Sequence, residues 1–310
     1  VVQKIIHFFA GCLLTLAIMA FLKTKFAKAI CGVLLCLLLG WWNVLSWTNL
    51  ISSESVSLSM MLLWLASFLF WIKSPSKVKL AIHFLLLILF SFTRDNWPYF
   101  LLIFYGLSLI LLFYQKSLWK SISLLLVATV GIFFVQQKSA EAGHRYRLPV
   151  LNNIVIKIMP NESYYSWFVK EGMPQAEMLK RNFSGCLETN SKIFKLYYDP
   201  DYDSLKNWVD QEGKSAYVKF LLTHPSFALL QEESNRDLER LHSYNLRYYS
   251  KQPEGYSSWI ESLFPFFDLT IISVLTVACI IIGILRRTLA LLIPGILLAL
   301  NFLNSILMYH

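Results

Sequence analysis

The stretch SFTRDNWPYF, residues 91–100, sets Arg94, Asp95 and Asn96 side by side between two strongly apolar runs. A guanidinium is a planar fork of five donors suited to phosphate. Asp95 and Asn96 are residue types that begin helices, and Pro98 suits a helix's first turn. A local Arg–Asp pair also lowers the cost of both charges close to a membrane. Capping explains Asp95 and Asn96 and leaves Arg94 over. Two further clusters carry similar chemistry. In SSES, residues 52–55, Ser52 or Ser53 can cap the apolar run that follows, with Glu54 favoured in the first turn by the helix dipole. In GHRYR, residues 143–147, His144, Arg145 and Arg147 offer cationic donors suited to lipid headgroups or to the mono- or diphosphate of a lipid-linked substrate. There is no GxSxG, HExxH, Walker A or GxGxxG pattern, and no CxxC metal signature.

The elements that must hold these clusters are membrane helices. Only 15% of the 310 residues are charged and 56% are hydrophobic, far from the balance of a soluble domain. Apolar runs near spanning length cover about 5–22, 29–47, 56–72, 97–114, 121–135, 266–285 and 288–308, with a shorter run at 80–92. The expectation is a mainly α, polytopic protein of about eight membrane helices: residues 1–136, then a mixed, mostly helical domain over 137–265, then two further helices over 266–310. Between Lys79 and Arg94 the helix is only about 21 Å long against a hydrocarbon core of roughly 30 Å. Residues 80–114 therefore either span twice, with Lys79 and Arg94 reaching for the interfaces, or form a re-entrant hairpin whose tip is the RDN turn. His83, inside this run, is weighed as a relay or ligand against a neutral side chain bonded to a neighbouring helix, the reading preferred here.

The net charge of +9 reports topology rather than nucleic acid. Residues 137–265 carry equal numbers of acidic and basic side chains, so the excess lies in the membrane part. It gathers in short connectors: Lys23, Lys25 and Lys28; Lys73, Lys77 and Lys79; Lys116 and Lys120; Arg286 and Arg287. That pattern follows the positive-inside rule. It turns the 43–55 stretch, the 91–97 stretch and residues 137–265 to the extracytoplasmic side of a plasma or inner membrane. Trp41, Trp42 and Trp47 outside, with Trp71 and Trp119 inside, read as interfacial belts. Residue 1 then falls outside, with neither an initiating Met nor a signal-peptide pattern, so a further upstream span is expected.

Within 137–265, helical periodicity runs over 213–241, interrupted at His224-Pro225, and NNIVIKIMP (152–160) is the best strand candidate. NES (161–163) and NFS (182–184) match the glycosylation sequon, a tripeptide that also arises by chance.

The order of these pieces resembles the GT-C superfamily of integral membrane glycosyltransferases. VVQKIIHFFAGCLL resembles the helix after that family's first outer loop, SSESVSLSMMLLWL its "SE" opening of a membrane helix, and LILFSFTRDNWPYFLL its short helix ending in arginine. The resemblance implies transfer of a sugar from a polyprenyl-phosphate donor to a glycan or lipid acceptor, with Glu54 and Arg94, flanked by Asp95 and Asn96, bordering the donor and acceptor cavity. An acceptor hydroxyl would attack the anomeric carbon while arginines steady the departing phosphate. The family's catalytic aspartate would lie upstream of Val1, so no catalytic residue is carried over. Members with and without a divalent metal are implied alike, and no ligand set is assigned. Two other classes stay open: a polysaccharide polymerase or flippase-like protein, and a non-enzymatic membrane scaffold.

Overall fold

The computed structural model describes residues 2–40, 53–109, 116–183 and 196–224, with Phe227, Val277 and Ile281. The spans expected over 266–285 and 288–308 and the second half of 29–47 lie outside these residues, as do Cys186 and Cys279. The described residues are mostly helical and contain no strand. They form two compact units, and the boundary falls between Gln136 and Gln137.

In the first unit, α1 (Val2–Met19) and α2 (Lys25–Gly40) precede α3 (Ser53–Lys73), α4 (Lys77–Ser91), α5 (Trp97–Ser108) and the start of α6 (Trp119–Ala142). α1 packs on α3 through a stripe of His7, Ala10, Gly11, Leu14 and Ala17. The small side chains in that stripe allow the two backbones to approach closely. Its other face leaves Val2, Ile5, Phe8, Phe9, Leu13 and Leu16 uncovered, the pattern of a helix facing lipid. α3 lies against both α1 and α4, which is why it buries residues all round: Leu62, Trp64, Phe68, Leu69, Trp71 and Ile72. Val2–Met19, Val56–Lys73 and Trp119–Ala142 are long and apolar enough to cross a membrane. α4 and α5, with 15 and 12 residues, are about 22 and 18 Å long and fall short of that length.

A closed set of hydrogen bonds joins α3, α4 and α5. Trp64 Nε1 donates to the Tyr105 hydroxyl (3.0 Å), and that hydroxyl lies 2.7 Å from His83 Nε2. His83 Nδ1 lies 2.8 Å from Ser67 Oγ, which donates to the Trp64 carbonyl (2.6 Å). Because the Ser67 proton is committed to Trp64, His83 Nδ1 must carry a hydrogen, and Nε2 must accept from Tyr105. One neutral tautomer satisfies all four bonds, in keeping with a histidine bonded to a neighbouring helix. Phe104 meets the Trp64 ring edge-on at 4.7 Å, and Phe90 stacks on it at 5.4 Å. Trp71, expected at an interface, is instead buried and stacked on His83.

The second unit is a small helical core. α7 (Arg147–Asn153) runs into a π-turn over Ile154–Ile158, followed by α8 (Glu162–Lys170) and α9 (Ala176–Phe183). α10 (Asp203–Trp208) enters a second π-turn, Val209–Gly213, and continues as α11 (Lys214–Thr223). The strand expected over 152–160 is thus helical. Leu151, Ile154, Val155 and Ile158 are all fully buried, and their i, i+3, i+4, i+7 spacing is a helical stripe that outweighs the β-branched composition. The sequon at Asn161 forms the start of α8: Asn161 Oδ1 accepts from Ser163 N and Tyr164 N. α11 ends at His224, where the interruption was expected.

The closed set makes a specific prediction. His83→Leu removes one of two partners from the buried Tyr105 hydroxyl and one from the half-buried Ser67 hydroxyl, and should cost about 1–3 kcal/mol of stability. Tyr105→Phe removes another member of the same set, so the double variant should lose clearly less than the sum of the two. Thermal unfolding of the detergent-solubilised chain, followed by circular dichroism, measures this.

Candidate functional site

The Arg94 turn is built by what surrounds it. α4 ends at Ser91, and Thr93 N reaches back to the Phe90 carbonyl (3.1 Å). Trp97 N bonds the Arg94 carbonyl (3.3 Å), closing a second turn from which α5 starts. Two side chains then fasten the turn to α3: the Thr93 and Ser57 hydroxyls are 3.1 Å apart, and Trp97 Nε1 donates to Ser57 Oγ. Thr93 Oγ1 also donates to the Phe90 carbonyl (2.7 Å), so its single proton is shared between that carbonyl and Ser57 Oγ. The Trp97 ring sits between Phe90 (4.8 Å) and Phe100 (5.7 Å). From α6, Gln136 Nε2 donates to the Ser91 carbonyl.

Arg94, Asp95 and Asn96 are all half-buried in this turn. Asn96 holds the N-cap position of α5 but makes no side-chain capping bond. Its backbone is already helical (φ −88°, ψ −16°), whereas a capping side chain needs an extended residue to reach forward. Pro98, in the first turn, has no N–H to be capped. Of the two capping candidates in the sequence, Asp95 and Asn96, Asn96 takes the N-cap position without a capping bond, and the turn is tied to α3 at Ser57. Glu54 lies in the first turn of α3, one turn before Ser57. The fold thus ties the TRDNWP segment to the early part of α3 through Ser57, Thr93 and Trp97.

GHRYR lies in the second unit, and there the positive charge meets an acid of the chain itself. Arg147 Nε donates to Asp210 Oδ1 (2.6 Å) and Nη2 to Oδ2, a bidentate pair. His144 Nδ1 lies 2.9 Å from the same Oδ2. His144 takes a left-handed conformation (φ 50°) at the C-terminal end of α6, where Arg145 N returns to the Ala140 carbonyl (3.0 Å). The second π-turn presents Asp210, and the Tyr146 hydroxyl donates to the Asp210 carbonyl (3.4 Å). Arg145 stays exposed and donates to Ser139 Oγ (3.0 Å). Of the three cations expected at a lipid phosphate, two converge on a carboxylate. Burial opposes the charge of Asp210, but the bonds from Arg147, with the charges of Arg147 and His144, outweigh it and hold the carboxyl below its usual range.

Sequence reasoning missed Ser57, Gln136 and Asp210. Ser57 stands one turn after Ser53 in a serine-rich stretch, a weak signal for a polar helix face. Gln136 lies 45 residues from its partner and Asp210 63 from Arg147, and no local pattern announces either. Among the described residues no group of His, Cys, Asp and Glu could hold a metal ion. Comparison with protein-family models, curated proteins and solved structures gives no match.

Asp210 titrates at a lower pH in the folded chain than in the unfolded one. Its contribution is therefore complete above the ordinary carboxylate range and is lost as pH falls through the lowered folded value. Unfolding of the full chain between about pH 7 and about pH 3 should show this acid-side loss, and Asp210→Asn should flatten it. At neutral pH, Arg147→Met should destabilise the second unit by about 1.5–3 kcal/mol, read as earlier hydrogen exchange in α7 and α11.

Proposed function

We propose that the chain is a membrane glycosyltransferase, or part of one, that moves a sugar from a polyprenyl-phosphate donor to a glycan or lipid acceptor on the extracytoplasmic side. In this reading about eight helices cross a plasma or inner membrane, with the basic connectors in the cytoplasm and residues 137–265 outside. The observation that carries it is the meeting of the two segments on which the resemblance rests. Ser57, one turn into the helix opened by Ser53 and Glu54, is bonded to both Thr93 and Trp97, which flank Arg94.

The chemistry follows from that placement. Arg94 is half-buried at the end of a short helix, where a guanidinium in a partly desolvated setting binds a phosphate more strongly than it would in water. As the acceptor hydroxyl attacks the anomeric carbon, negative charge grows on the departing lipid phosphate, and a fixed arginine stabilises that charge without reorganising. Glu54 borders the same end of the unit. Arg147 and His144 hold Asp210, and in this reading the phosphate role is assigned to Arg94 for its place beside the α3 contact.

The test uses full-length protein in proteoliposomes with a panel of labelled polyprenyl-phosphate hexoses. Arg94→Ala should reduce transfer by about 100-fold. Arg94→Lys, which keeps charge but loses the fork, should fall between. Membrane insertion should be unchanged in both. Wild-type rates from Arg94→Ala would remove the reading.

A further inference from the structure

An apolar groove with a positive end runs between the end of α1 and the outer face of α2. Met19 lines it from α1, and Lys28, Ala29, Gly32, Val33 and Cys36 line it from α2, around about 520 Å³ of space, within the range of ligand-binding clefts. Ala29, Gly32 and Cys36 recur at i, i+3 and i+7, so small side chains recess one face of the helix. Ala29, Val33 and Cys36 are exposed, so the groove opens on the outside of the unit. A Cβ on Gly32 would lie 3.6 Å from the Met19 sulfur, an ordinary contact, so the recess is room left empty by glycine.

The charge at its mouth has no counterpart nearby. Lys28 is half-buried in the groove wall, and Lys23 and Lys25 beside it are exposed. Lys73 Nζ lies 5.3 Å from the centre of the Phe21 ring, which places the α1–α2 connector at the Lys73 end of α3. The Arg94 turn is fastened at Ser57, about 24 Å away along the same helix. Within residues 1–136 the only acids are Glu54 and Asp95, and both stand at the Arg94 end. Lys23, Lys25, Lys28 and Lys73 thus gather where this part of the chain supplies no carboxylate. From Lys28 to Cys36 the groove follows about 12 Å of helix. A narrow apolar furrow with an ammonium at its mouth complements an acyl chain that ends in a phosphate.

We propose that this groove binds one anionic diacyl phospholipid, with an acyl chain along Ala29, Gly32, Val33 and Cys36 and the phosphate against Lys28. The site lies at the opposite end of α3 from the Arg94 turn, and it stands whether or not the chain transfers a sugar. In the topology proposed above this end faces the cytoplasm, where anionic lipid attracts lysines beside the membrane.

The experiment places the full chain in nanodiscs with equal amounts of phosphatidylglycerol and phosphatidylcholine, one or the other carrying a diazirine midway along an acyl chain. After illumination, mass spectrometry identifies the labelled peptides. Phosphatidylglycerol should label Met19 and residues 29–36 about five-fold more than phosphatidylcholine, the equivalent of about 1 kcal/mol for one lysine beside a membrane surface. Lys28→Gln should remove most of that preference, whereas Lys25→Gln, outside the groove wall, should leave it largely intact. Gly32→Leu, which fills the recess, should abolish groove labelling by both lipids. Labelling on the exposed side chains of α6, such as Leu124 and Val127, should stay as in wild type and shows that the fold is retained. Equal wild-type labelling by the two lipids, or equal losses from Lys25→Gln and Lys28→Gln, overturns the inference and makes the groove ordinary lipid-facing surface. Absence of groove labelling by either lipid also overturns it, and assigns the groove to another part of the chain.

Discussion

Inside an apolar bundle each hydrogen-bonding atom must find its partner within the protein, because neither lipid nor a dry core supplies one. The first unit is organised around that requirement. Trp64 offers one donor and one acceptor to the interior, and Tyr105, His83 and Ser67 complete the circuit between them across three helices. Once those helices are locked, the end of α4 has a defined position relative to α3, and the turn that follows can be fastened by two side chains on one serine. The placement of Arg94 is thus a downstream result of satisfying a tryptophan and a histidine well below it.

The second unit meets a comparable demand with charge. Arg147 cannot be partly buried without an anion, and it reaches across the chain to Asp210. A continuous α-helical register from Asp203 to Thr223 would place Asp210 differently from the π-turn that now carries it. After the extra residue of the π-turn, Tyr217 and Phe220 return to the core, and the Gly213 position lies so close to Trp208 that a side chain there would press on the indole. The ionic contact and the apolar packing are served by the same local irregularity.

What was legible in the sequence was whatever repeats locally. Long apolar runs announced α1, α3 and α6, and the break at His224-Pro225 announced the end of α11. Periodicity also held the answer over 151–158, where the spacing of Leu151, Ile154, Val155 and Ile158 was helical even though the residue types favoured a strand. What was hidden depends on pairs far apart in the chain. His83 could be marked as an unusual intramembrane residue, but its partners lie 16 and 22 positions away on different helices. The cations of GHRYR read as open for a ligand because the acid that engages two of them arrives much later. Arg94 itself was legible as the residue its neighbours did not explain, while the serine and tryptophan that position its turn looked like ordinary helix content.

The closed circuit around Trp64 has an electrical consequence. Its hydrogen bonds all point one way, and they begin and end on the same residue. A proton entering such a loop finds no exit, since the first donor is an indole and the last acceptor a peptide carbonyl. Shuffling hydrogens around it moves no net charge from one end of the bundle to the other, so an electric field along the helices has no purchase on it. A histidine deep within a helical bundle here behaves as insulation.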